Sequence, residues 1–171
     1  MKFINQKIGV FFWKLIVAFP INFQNVLANI LFSFLKKPDL KRNIFSRKNI
    51  DAAFPHLNKQ EKENLFNKNL KSMIRGIFDT GKAWFWSDSK INSLIKYEIF
   101  GLNKLIATKG NLLIFKHSHH LELDSRILGM HCELYGVERV HNSSFMQKVQ
   151  SIGRSKGLNA LADKNSPITF I

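Results

Sequence analysis

The first 37 residues, MKFINQKIGVFFWKLIVAFPINFQNVLANILFSFLKK, form a long apolar run closed by basic residues. Such a run must either meet lipid or be covered by the rest of the chain. Cleavage as a signal peptide calls for a compact apolar region ending in small residues, and Phe19 and Pro20 stand where those belong. A spanning helix needs about 20 apolar residues, and Lys14 costs about 2.5–3.5 kcal/mol near mid-bilayer against about 0.3–0.6 kcal/mol gained per Leu, Ile, Phe or Val. Insertion therefore gains little. In the second half Asn22, Asn25, Asn29, Ser33 and Lys36 recur on one helical face, with Phe23, Leu27, Ile30 and Phe34 opposite. This pattern predicts a membrane-embedded hairpin, or a short span followed by a helix lying in the interface with its lysines among anionic headgroups. Residues 1–37 are thus expected to be a membrane-anchoring helical segment, with a buried core helix as the alternative.

Charge narrows the partners. The chain carries 26 Lys+Arg against 12 Asp+Glu, a formal net charge of +14, while 45% hydrophobic residues exclude an unfolded chain. Nucleic acid, an anionic leaflet, a phosphorylated substrate and an acidic carrier protein all answer to such an excess, because steering and counterion release act on charge and not on identity. The single cysteine, Cys132, excludes an internal disulfide.

Residues 38–94 read as helical. Pro38 marks a turn, a short helix ends before Pro55, and Asn58 with Glu61 three residues later forms a capping box that opens a second helix. Leu65, Leu70, Met73, Ile77 and Phe78 give it an apolar face that runs to the cluster Trp84–Phe85–Trp86. Tryptophans at a helix end belong either to a core or to a lipid surface.

From residue 95 the pattern alternates. YEIFG, NLLIFK and VERVH read as strands; LNKLIATKG, stopped by Gly110, and LELDSRILGMHCELYG read as helices. The fold class expected is α/β: N-terminal membrane-associated helices, then a partial, mostly parallel sheet flanked by helices over 95–171. In open sheets of this kind active sites lie beyond the carboxyl ends of the strands. His117 falls immediately after NLLIFK, and Glu122 falls in the first turn of the next helix.

Those two residues belong to KHSHHLELD, Lys116–Asp124. His117 and His119 have the H-x-H spacing of some zinc sites, but Leu121 and Glu122 occupy the positions where further ligands belong, so no metal site is expected. An acid–base dyad needs an imidazole that titrates near neutrality and a carboxylate that holds its tautomer and stabilises the imidazolium. His117 with Glu122 meets that need, and His119 with Asp124 forms an overlapping pair of the same spacing.

Several blocks in order, RKNIDAAFPHLNKQEKENLF, GKAWFWSD, YEIFGLNKLIATKGNLLIFKHSHHLELDSRIL and VHNSSFMQKVQSIGRSKGL, resemble the lipid A biosynthesis acyltransferases, the lauroyl and myristoyl transferases of Gram-negative bacteria. The resemblance implies transfer of a fatty acyl chain from an acyl carrier protein thioester to a hydroxyl of a phosphorylated lipid A precursor. It places the catalytic histidine at His117, its acidic partner at Glu122 and a functional, substrate-binding arginine at Arg154. It implies no cofactor and no nucleic acid, an anionic membrane as partner, and a location on the cytoplasmic face of the bacterial inner membrane. Members of the family continue past the point where this chain ends in DKNSPITFI, so the α/β domain is expected to be incomplete and the chain nearly inactive. A glycerolipid acyltransferase with a related H-x4-acid site and an inactive membrane-bound fragment are the alternatives.

Overall fold

The computed structural model describes residues 2–107 and 110–163, so the expectations for DKNSPITFI beyond Asp163 and for Thr108 and Lys109 lie outside the described residues. Along the chain run α1 (Lys2–Ala18), α2 (Ile21–Leu35), α3 (Lys41–Ala53), α4 (Lys59–Phe85), α5 (Asp88–Leu94), α6 (Leu102–Ala107), α7 (Leu121–Gly129), β1 (Tyr135–Glu138), α8 (Ser144–Arg154) and β2 (Ala160–Asp163). They fall into two compact units, Phe19–Phe78 and the remainder, with the break inside α4.

In the unit Phe19–Phe78, α2 turns Gln24 and Ala28 inward, while Phe66, Leu70, Ile74 and Phe78 of α4 supply a buried stripe at i, i+4, i+8 and i+12. Asn43 of α3 is fully buried, and its amide donates to the carbonyls of Leu35 and Lys37 at 2.6 and 2.7 Å. It thereby satisfies acceptors left open at the end of α2. Arg47 lies over the Phe66 ring and pairs with Glu63. The capping box forms as expected: the Asn58 N–H donates to Glu61 Oε2 at 2.8 Å, and the Glu61 N–H donates to Asn58 Oδ1 at 2.9 Å.

In the other unit α1 packs Trp13 and Val17 against the end of α4. Gly81 permits this approach, since a Cβ there would stand 2.7 Å from Val17 Cγ1. Trp13 meets Trp84 and Phe85 edge-on, and the Trp86 indole donates to the Val17 carbonyl at 2.7 Å. The aromatic cluster is core and not a lipid-facing belt: Trp84 and Trp86 are both buried. Ser143 caps α8 by accepting from the Met146 N–H, and its hydroxyl donates to Gln6 of α1.

The sheet is smaller than the sequence predicts. Among the described residues it has two strands, β1 and β2, paired in parallel from Tyr135↔Ala160 to Glu138↔Asp163, with α8 as the crossover. VERVH is shifted into β1, whereas YEIFG and NLLIFK are not strands. Leu112 and Ile114 are 88% and 91% exposed: NLLIFK has the hydrophobic composition of a strand, but among the described residues no strand pairs with it, and a ladder is made by two strands. The chain is therefore mostly helical, with a small parallel sheet. The membrane expectation changes too, because among the described residues no helix is long and apolar enough to cross a membrane.

Candidate functional site

Three elements of one unit converge at the start of α7. His120 stands at its N-cap, and Glu122 and Asp124 fall in its first turn, where backbone N–H groups favour carboxylates. The end of α4 brings Trp84, whose indole Nε1–H donates to Glu122 Oε2 at 2.8 Å. The end of α8 brings Arg154: its Nε donates to both Glu122 oxygens at 3.0 and 3.1 Å, and Nη2 donates to Oε1 as well. Nη1 of the same guanidinium donates to Glu138 Oε2 at 2.5 Å, at the end of β1. Gly153 makes the crossing possible, because a Cβ there would lie 2.3 Å from Trp84 Cγ.

The electrostatics follow from burial and pairing. Burial alone would lower the Arg154 pKa, but hydrogen bonds and charge from Glu122 and Glu138 outweigh it and hold the guanidinium above its usual value. Burial would raise Glu138, yet hydrogen bonds from Gln150, Arg154 and Gln147 and the Arg154 charge keep its carboxyl below the ordinary range. One cation thus bridges two carboxylates, and the cluster remains net negative.

A second cluster lies beside it. His120 Nδ1 meets Asp79 Oδ2 at 2.6 Å, and Lys82 donates to Asp79 Oδ1 at 2.7 Å. Loss of hydration pushes the Asp124 carboxyl up, with His120 opposing and Asp79 reinforcing. Asp79 and Trp84 thus hold the first turn of α7 from two points on α4, one through His120 and one through Glu122.

The sequence-derived residues are brought together unevenly. Glu122 and Arg154 are in direct contact. His117 is exposed in the stretch 111–118, which is neither helix nor strand, and makes no hydrogen bond to Glu122 or to any other group among the described residues. Trp84 and Glu138 were not singled out as site residues; they lie 38 and 16 residues from Glu122 and share no local spacing with it. No cluster of three His, Cys, Asp or Glu side chains among the described residues is arranged to hold a metal ion.

No solved structure matches the chain. The chain is 32% identical to a lipid A biosynthesis acyltransferase of Haemophilus influenzae over 163 residues, 92% of this chain and 51% of that protein. It is 30% identical to the lipid A biosynthesis palmitoleoyltransferase of Escherichia coli over 137 residues, 77% of this chain and 44% of the relative. With the lipid A biosynthesis lauroyltransferase of the same organism it shares 28% identity over 142 residues, 81% of this chain and 44% of the relative. The chain thus spans about half the length of the curated relatives it matches. Residues 2–170 match the family described as bacterial lipid A biosynthesis acyltransferase, and the chain belongs to that family.

Proposed function

We propose that this chain carries the acid–base half of an acyltransferase that moves a fatty acyl group from an acyl carrier protein thioester to a hydroxyl of a phosphorylated lipid A precursor. Family membership supports the reaction class, and one structural observation carries the residue assignment: a carboxylate, Glu122, fixed by Trp84 and Arg154 at the start of α7, five residues after His117. In this reading His117 removes the acceptor hydroxyl proton as the oxygen attacks the thioester carbonyl. The tetrahedral intermediate then expels the carrier thiolate by breaking the C–S bond, and an ester is left on the acceptor. The net negative cluster around Glu122 stabilises the imidazolium that forms. The two Glu122 oxygens already accept from the Trp84 indole and the Arg154 guanidinium, so Glu122 acts on the imidazolium through its charge. Arg154, already neutralised by two carboxylates, serves Glu122 better than it would serve a substrate phosphate. The reaction belongs at the cytoplasmic face of a bacterial inner membrane, where donor and acceptor meet and where the basic charge faces anionic lipid.

The test is turnover of a purified lipid A precursor with acyl carrier thioester. His117→Ala is expected to lower kcat by about 100-fold or more, the scale of losing a general base. The His120–Asp79 contact supports a second assignment of the base within the same reaction. Loss confined to His120→Ala, with His117→Ala active, would move the base to that pair.

A further inference from the structure

β1 ends in a carboxylate that acyl transfer does not call for. Glu138 is buried, with its side chain 6% exposed, and every oxygen is engaged: Oε1 accepts from Gln147 at 2.7 Å, and Oε2 accepts from Gln150 at 3.0 Å and from Arg154 Nη1 at 2.5 Å. Two glutamines of α8 thus hold the anion, and the anion holds one end of the guanidinium. Arg154 is planar, so pinning Nη1 on Glu138 leaves the opposite Nε/Nη2 edge facing Glu122, where it makes its remaining described bonds.

We propose that Glu138 is a positioning residue: acting through Arg154, it fixes the plane and place of the Glu122 carboxylate. The inference rests on the reading of Glu122 as the partner of the catalytic base and adds the group that aligns it. Arg154 then acts between two protein carboxylates. Without Glu138 the guanidinium is free to turn about its side-chain torsions, and Glu122 keeps only Trp84 as a fixed donor. A residue so far from the reacting oxygen matters because catalytic geometry has to be held to about 0.5 Å.

The protein contains its own reporter and its own control. The Trp84 indole N–H is bonded to Glu122, whereas the Trp86 indole N–H is bonded to the Val17 carbonyl in the same unit, outside the cluster. Hydrogen exchange of both indole protons is measured by NMR on the purified chain, with the resonances assigned by Trp→Phe substitution. Glu138→Ala is expected to speed exchange at Trp84 about tenfold, the scale of losing one hydrogen bond to a charged group, and to leave Trp86 unchanged. Arg154→Met should give a similar increase, and the double variant should add nothing further. Should Glu138→Ala fail to fold, Glu138→Gln carries the test: a neutral amide oxygen replaces the carboxylate, and the expected increase at Trp84 is about threefold. An unchanged Trp84 proton, or equal acceleration at Trp84 and Trp86, would overturn the proposal.

Turnover adds the functional half. In the positioning role Glu138→Ala lowers kcat about tenfold and leaves KM for the lipid acceptor within about twofold. A raised KM at unchanged kcat would mean that Arg154 grips substrate, and would overturn it. Where the wild-type chain shows no turnover, selective loss of Trp84 protection in Glu138→Ala still supports the coupling of Glu138 to Glu122, and the failure then falls on the acyltransfer reading alone.

Discussion

Glu122 accepts from an indole and a guanidinium, and neither partner is within 30 residues of it in the chain. That separation explains what could be read beforehand. A histidine and a carboxylate five residues apart are visible as a spacing, and Arg154 is visible through its block; Trp84 and Glu138 reach the site through folding alone. The titration of Glu138 gives a residue-scale prediction. Folding lowers its pKa, so its ionised form contributes stability that is fully present above about pH 4.3 and is lost as pH falls through the folded value. The melting temperature of the wild-type chain is expected to drop as the pH falls below the ordinary glutamate range, and that of Glu138→Gln to drop less, in circular dichroism melts. Superimposable profiles for the two would show that Glu138 gains nothing from its partners on folding.

At the scale of elements, local signals succeeded where the cause was local. The capping box of α4 consists of two side chains three residues apart and two backbone groups, and it forms as read. Strands are different, because their partners are elsewhere: NLLIFK has strand composition and no ladder, while β2 consists of Ala160–Asp163, with two alanines and an aspartate that carry little strand preference. β2 exists because β1 offers it an edge. The α8–α4 contact allows a sharp test. Gly153 is helical, so Ala would be favoured there by about 1 kcal/mol on propensity alone. Against this, the new Cβ would meet Trp84 Cγ at 2.3 Å and Trp84 Cβ at 2.7 Å, atoms close to the α4 backbone that have little room to give. Overpacking costs about 1–3 kcal/mol, so the clash is expected to win and Gly153→Ala to lower the denaturant midpoint. A higher midpoint would mean that α8 rides clear of Trp84.

At the scale of the whole molecule the unusual feature is apolar surface at helical spacing. Ile4, Ile8, Phe11 and Leu15 of α1 are 61%, 49%, 63% and 44% exposed, and on α2 Phe23, Val26, Ile30 and Phe34 are 47%, 57%, 48% and 64% exposed. Single exposed apolar residues are ordinary, but two stripes of four are not. Only the second half of the N-terminal run was legible as amphipathic; the first half, expected to meet lipid with a core helix as the alternative, builds a core through Trp13 and Val17 while Ile4, Ile8, Phe11 and Leu15 stay exposed. Among the described residues no helix is long and apolar enough to cross a bilayer, and each stripe, taken by itself, has the spacing of a helix that lies in a lipid interface. With a formal net charge of +14, each Lys or Arg near an anionic surface adds about 1 kcal/mol of attraction, screened beyond a Debye length of about 8 Å at physiological salt. The purified chain is therefore expected to co-float with phosphatidylglycerol-containing vesicles and far less with pure phosphatidylcholine. Raising the salt should weaken binding without abolishing it, because the apolar contribution does not screen. Phe23→Asp with Phe34→Asp should reduce flotation at every salt concentration, since it places charge in the stripe that would enter the acyl boundary. If this pair of substitutions left flotation unchanged while high salt removed it entirely, the α2 stripe would have no part in lipid contact and the attraction would be electrostatic alone.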